Sequence, residues 1–139
     1  MTTQLTPELI NNQGTQNLPA LLGLRMLEIE SGRARMEMAV RPELMAPNGF
    51  LHAGSVISLA DTAAGYGCMA SLPEGASSFT TIELKSNMLG TAREGMLVCD
   101  ASCVHAGRTT QVWESVVKHV ETGKVIARFS CTQMILYPR

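Results

Sequence analysis

The sequence predicts an α+β fold in which one long central helix is wrapped by a curved antiparallel sheet of about six strands. Three observations carry that expectation. Residues 53–71 form a long, almost continuously apolar stretch with small residues at Ala60, Ala63, Ala64, Gly65 and Gly67. Segments with two-residue alternation of apolar and polar side chains lie before and after it. Short clusters of turn-forming residues separate the last of these segments, a spacing suited to neighbouring antiparallel strands.

With 139 residues and 45% hydrophobic content, the chain is sized for one domain around one core. Residues 1–23 read as a flanking helical segment and residues 24–139 as that domain. The 11 Lys and Arg nearly balance the 12 Asp and Glu, and no run of like charge occurs, so nucleic acid and membrane surfaces are not expected partners. Aromatic residues make up 4% while Met counts 9, a balance that favours an apolar ligand over stacked bases.

In chain order, Thr6-Pro7-Glu8 opens a capped short helix, and Leu18-Pro19 through Leu22 forms a second apolar turn that Gly23 ends. Met1 to Asn17 lacks the basic start and apolar run of a secretory signal, which predicts a cytoplasmic protein. From Leu24 the period is two. Arg33, Arg35 and Glu37 alternate with Ala34, Met36, Met38 and Val40, and Ser31-Gly32 turns the chain, giving a half-buried hairpin. Pro42, Pro47 and Asn48-Gly49 break Arg41 to Leu51 into a loop.

The helix that follows is apolar enough to be covered on nearly every side. It does not read as a membrane span, because Asp61 at its centre costs about 2.5–3.5 kcal/mol on insertion. After Pro73-Glu74-Gly75, Thr81, Glu83, Lys85 and Asn87 face one way, and Ile82, Leu84 and Met88 the other. Strands over residues 96–105, 109–120 and 125–136 follow. Their turns are Arg93-Glu94-Gly95, Ala106-Gly107-Arg108 and Glu121-Thr122-Gly123-Lys124, each expected to join adjacent strands. So wide a sheet leaves a face or an edge uncovered, and a homodimer is the natural remedy.

Asp61 is the first candidate for chemistry, since a carboxylate in an apolar helix must be hydrogen-bonded, paired or kept for a function. A satisfied structural Asp is the alternative. Asn48-Gly49-Phe50-Leu51-His52-Ala53-Gly54 ends where the helix begins, so N–H groups near Gly54 lie at its positive end and can hold a carbonyl oxygen. An ordinary loop with His52 as a cap is the alternative there. Seven residues separate Gly54 from Asp61, about 10 Å along a helix, too far for one carbonyl to touch both. If they act together, the helix N-terminus of one subunit faces Asp61 of another.

Other features are weaker. Cys68, Cys99, Cys103 and Cys131 read as core thiols. Cys99 and Cys103 on one strand stand about 13 Å apart, too far to share a metal ion. Gly65-Tyr66-Gly67-Cys68-Met69-Ala70 imitates a dinucleotide fingerprint but follows no strand. No Gly-x-Ser-x-Gly elbow occurs. Met26, Met36, Met45 and Met69 read as core, with an acyl channel as the alternative.

The string from Asn48 through His52, Gly54 and Asp61 to Ala63 resembles the hallmark of hotdog-fold thioesterases of the phenylacetate-degradation (PaaI-like) type. Thr81-Ile-Glu83 through Asn87, His105-Ala-Gly107-Arg108-Thr109, and Gly123-Lys124 through Thr132 resemble that family's later motifs, in the same order. The resemblance implies acyl-CoA thioester hydrolysis without metal or redox cofactor. It implies Asp61 as nucleophile or water-activating base, with the Gly54 N–H on the thioester carbonyl. Asn48 and His52 match positions that orient the same end of the substrate, and Thr81 matches a hydroxyl near the carboxylate. It also implies Asp61 and Thr81 on one subunit, Asn48, His52 and Gly54 on the other, and a dimer of dimers. Gly107-Arg108 falls near the coenzyme A phosphates, which Arg suits through its paired donors. Ala53 departs from the family's usual glycine and narrows the acyl entrance. Two other activities compete. A hydratase or dehydratase of enoyl or 3-hydroxyacyl thioesters needs an acid/base pair on two substrate carbons, and no Asp closely followed by His supplies it. A non-catalytic acyl-CoA binding module with a DNA-binding segment fits poorly with the short, weakly charged stretch before Leu24.

Overall fold

The computed structural model describes residues 4–13 and 17–139; residues 1–3 and 14–16, part of the stretch read for a secretory signal, lie outside the described residues. Two short helices, α1 (Pro7–Asn12) and α2 (Leu18–Leu21), precede the hairpin of β1 (Arg25–Glu30) and β2 (Arg33–Ala39). A 3-10 turn over Pro42–Leu44 interrupts the loop before the long helix α3 (Ala53–Met69). Strands β3 (Ser78–Met88), β4 (Met96–Ala106), β5 (Thr110–His119) and β6 (Val125–Leu136) complete one antiparallel sheet in the order β1-β2-β4-β5-β6-β3. No helix among the described residues is long and apolar enough to cross a membrane.

The helix buries one stripe, Ser55, Val56, Leu59, Ala60, Ala63, Ala64, Gly67 and Cys68, against the sheet. Small residues there let the backbone come close. Ser115 Oγ donates to the Ala60 carbonyl at 3.1 Å, and at Gly67 a Cβ would lie 2.5 Å from Trp113 Cζ3. Trp113 Nε1 donates to Gln111 Oε1 at 2.7 Å, and Gln111 Nε2 to the Ser71 carbonyl at 2.9 Å, tying β5 to the end of the helix.

Three expectations need correction. The helix is not covered on nearly every side. Its other stripe, through Gly54, Asp61, Thr62, Gly65 and Met69, is exposed or half-buried, because the sheet of a single chain curves round one side only. The Arg93-Glu94-Gly95 turn does not join neighbours either. Residue Val40 donates to the Gly95 carbonyl as β2 takes one side of β4, and β3 crosses over to pair with β6. Finally, Thr81 does not share a face with Glu83, Lys85 and Asn87. A bulge between Thr81 and Glu83 shifts the register, so Thr81 opposite buried Gln133 faces inward with Leu84, Ser86 and Met88, while the other three face out.

The two sheet edges differ. Along β1, the Asn11 side chain occupies both backbone groups of Met26, donating to its carbonyl at 3.0 Å and accepting from its N–H at 2.8 Å. The opposite edge, β3, has no such cover among the described residues and leaves Ile82, Leu84 and Met88 52%, 43% and 39% exposed. Met26, Met36, Met38, Trp113 and Phe129 lie in the core.

Candidate active site

Asp61 lies midway along the open stripe of α3. One of its carboxylate oxygens, Oδ1, is buried without a hydrogen-bond partner, and burial pushes its carboxyl above the ordinary range. It opens into a cavity of about 270 Å³ lined by Pro19, Thr62, Gly65, Tyr66, Met69 and Phe79. The carboxylate thus stands at a largely apolar space whose lining includes the Tyr66 and Phe79 side chains. The Phe79 ring packs directly on the helix, its Cζ 3.1 Å from where a Cβ on Gly65 would stand.

The N-terminal end of α3 faces a second cavity, of about 320 Å³, lined among others by Leu18, Leu22, Glu43, Met45, His52 and Gly54. One chain therefore does not bring Asp61 and Gly54 together, as the 10 Å helical spacing requires. The Gly54 N–H is not free. His52 caps the helix, its Nδ1 accepting from Gly54 N–H at 2.8 Å. A carbonyl that takes this N–H must displace the imidazole, which is exposed. Asn48 lies on the exposed loop, where its Oδ1 accepts from Phe50 N–H at 3.1 Å; it lines neither cavity.

On β3, Thr81 Oγ1 donates to Gln133 Oε1 at 2.6 Å. Gln133 is fully buried, and its Nε2 has no partner. None of the sequence motifs includes Gln133, although its place marks it: it occupies the apolar phase of β6, in alternation with Phe129, Cys131 and Ile135. Cys131 neighbours Asp61 electrostatically. Burial, then the Asp61 charge and Cys68, push its thiol up to about 12, and burial first holds Cys68 and Cys99 at about 12 too. These three buried thiols are therefore protonated and poor nucleophiles or metal ligands at neutral pH.

Gly107 and Arg108 sit at the β4–β5 turn, where Gly107 N–H donates to the Thr110 carbonyl at 2.8 Å and Tyr137 donates its hydroxyl to the Arg108 carbonyl. The Arg108 side chain is exposed, and it makes no ion pair among the described residues. Gln111 fastens this turn's strand to Ser71, just past the C-terminal end of α3.

The sequence signature of the thioesterase superfamily matches residues 48–126, from the Asn48 loop through α3 to the start of β6. The chain belongs to the thioesterase superfamily. It is a thioester hydrolase. A 1,4-dihydroxy-2-naphthoyl-CoA hydrolase of Listeria monocytogenes is 30% identical to this thioesterase over 115 residues, 83% of this chain and 92% of the relative. One of the same name from Escherichia coli is 29% identical over 136 residues, 96% of each. Among solved structures, a thioesterase of Haemophilus influenzae superposes with a TM-score of 0.89 at 24% identity, over 97% of this chain and 93% of that one. A thioesterase family protein of Silicibacter pomeroyi gives 0.81 at 30% identity, over 94% and 97%. The six-stranded curved sheet and its single long helix are thus the hotdog arrangement expected from the motifs.

Proposed function

We propose that this thioesterase hydrolyses an acyl-CoA thioester with an aryl acyl group preferred over a medium-chain one. Water and thioester give the free acid and the coenzyme A thiol. The observation that carries the reading is the desolvated Asp61 carboxylate at the wall of a cavity lined by Tyr66, Phe79 and Met69. Burial raises its basicity, which suits an Asp that must take a proton from water or attack the carbonyl itself. Flat apolar walls suit an aromatic acid, and the names of the Listeria and Escherichia coli relatives argue for the same class.

In this reading, Gly54 N–H polarises the thioester carbonyl once His52 has turned aside, with Asn48 and His52 orienting that end of the substrate. These groups come from a second copy, because neither cavity of one chain contains both ends of the machinery. The uncovered β3 edge, with Ile82, Leu84 and Met88 exposed, supports pairing there, since on the opposite edge Asn11 already occupies both backbone groups of Met26. Exposed Val104, Met134 and Leu136 elsewhere on the sheet support a further association into a dimer of dimers. Gly107 and Arg108 receive the coenzyme A phosphates, and the cytoplasm is the compartment that supplies such a substrate.

A hydrolysis panel over acyl-CoA chain lengths and aryl-CoA thioesters, followed by thiol release, tests the proposal. Highest kcat/KM on an aryl-CoA is the expected result. Absence of thiol release from every member would overturn it, and a maximum on straight-chain substrates would overturn the aryl preference.

A further inference from the structure

Thr81 and Gln133 form a buried polar row between apolar ones on the inner face of β3 and β6. Along those strands Phe79 stands opposite Ile135, Thr81 opposite Gln133 and, past the bulge, Leu84 opposite Cys131. Helix α3 runs over the same rows, since Gly65 meets the Phe79 ring while Asp61, one turn earlier, interacts electrostatically with Cys131. Asp61 precedes Gly65 by about 6 Å along the helix, roughly the two-residue step from Phe79 to Thr81 on β3, and so faces the stretch between the Phe79 and Cys131 rows in which Thr81 and Gln133 lie.

Gln133 differs from its neighbour across the sheet. Gln111, opposite it on β5 and equally buried, commits both ends of its amide to the fold, its oxygen to Trp113 and its nitrogen to Ser71. Gln133 commits one end only, its oxygen, and that to the hydroxyl of Thr81. A hydroxyl has a single proton to donate. With that proton held by Gln133, the Thr81 oxygen can act toward any further partner only as an acceptor.

We propose that Gln133 is a positioning residue for hydrolysis: by holding the Thr81 proton, it keeps the Thr81 oxygen as an acceptor for the water that Asp61 activates. The inference rests on the proposed reading of Asp61, in its form as a base acting through water. A water that donates one hydrogen to Asp61 and the other to Thr81 turns its lone pair toward the carbonyl. Without Gln133, the Thr81 hydroxyl is free to donate toward the Asp61 carboxylate, a stronger acceptor than a neutral group. The water then loses one anchor, and the ionised form of Asp61 gains a hydrogen bond that lowers its basicity.

Among the described residues of one chain, the ionisable groups facing Asp61 are the Cys131 thiol from β6, with Cys68 beyond it, and Tyr66 from its own helix. The strand β3 and helix α2 present Phe79, Thr81 and Pro19, none of which titrates. In the proposed composite site His52 of the second copy also titrates, but it is common to wild type and every variant, so a difference between their acid limbs reports Asp61.

The test measures kcat, KM and the pH dependence of kcat on the best acyl-CoA for wild type, Gln133→Met, Thr81→Val, Thr81→Ser and the Gln133→Met/Thr81→Val double variant. Gln133→Met is expected to lower kcat about tenfold with KM unchanged, as loss of a transition-state arrangement does, and to move the acid limb to lower pH. Thr81→Val is expected to lower kcat comparably without that downward shift, Thr81→Ser to retain activity, and the double variant to lose no more than Thr81→Val alone. Fully additive losses, an unmoved acid limb in Gln133→Met or a change confined to KM would each overturn the proposal. Should Gln133→Met fail to fold, an unchanged kcat in Thr81→Val overturns it equally. Failure of wild type to release thiol would instead sink the thioesterase reading and this inference with it.

Discussion

Replacing Asp61 by Asn separates what the carboxylate does for catalysis from what it does to the fold, and the two effects have opposite signs. The substitution keeps the shape of the side chain and removes the base. Loss of a positioned general base costs about 10²- to 10⁴-fold in rate, equivalent to roughly 3–5 kcal/mol of transition-state stabilisation. The fold should respond the other way. Burial raises the Asp61 pKa in the native state, so the native protein binds this proton more readily than the unfolded chain. Wild type therefore loses stability from Asp61 as pH rises from the ordinary carboxylate range through its raised value, whereas the Asn variant does not titrate there. Denaturation at acid and neutral pH, alongside thiol release, reads both effects. The variant should gain stability relative to wild type on going from pH 3 to pH 7 while its turnover falls by about a hundredfold or more. A folded variant with near-normal turnover, or one whose relative stability falls over that interval, would refute the reasoning; the latter would mean that the carboxylate is paired rather than desolvated.

Other outcomes follow from the same geometry. Arg108→Ala should raise KM for acyl-CoA with little change in kcat, and leave short thioesters without a nucleotide unaffected, because a remote phosphate contact contributes equally to ground and transition states. Leu84→Lys places a charge on the inward, half-open face of β3 and should yield monomers by sedimentation, with thioester hydrolysis lost although Asp61 and Thr81 are intact. Gly67→Ala should lower stability by about 1–2 kcal/mol in chemical denaturation, as overpacking against the fixed Trp113 ring outweighs the better helix propensity of Ala.

Much of the architecture was legible because two periods dominate the sequence: the unbroken apolar run of α3 and the alternation of the strands. What escaped depends on long-range pairing. The bulge after Thr81 reverses that residue's face, yet a strict alternation continues through Ile82 and Glu83 in the sequence and conceals it. A short turn between β3 and β4 suggests adjacency, but turn length is blind to the fact that β2 already occupies one side of β4. The open stripe of the helix carries Ile57, Gly65 and Met69, residues as apolar or small as the buried ones, so no polar face announces it. At the site, Asp61 stood out as a lone charge in that run, whereas the His52 cap on Gly54 N–H depends on a side-chain rotamer. Gln133 carries a signal in the sequence, a polar side chain in the apolar phase of β6, but only its fully buried position shows that it points into the core.

The central claim is that Asp61 and the helix N-terminus act together only across two copies of the chain, and subunit complementation tests it most directly. Asp61→Ala and an Asn48→Ala/His52→Ala protein, each inactive, are mixed in equal amounts under conditions of subunit exchange. In a mixed dimer one composite site carries both lesions and the other carries none. Half the dimers are mixed and each regains one of two sites, so activity should return to about a quarter of wild type by the two-fold logic of such an interface. Exchange confirmed by mass without any return of activity would contradict the shared site.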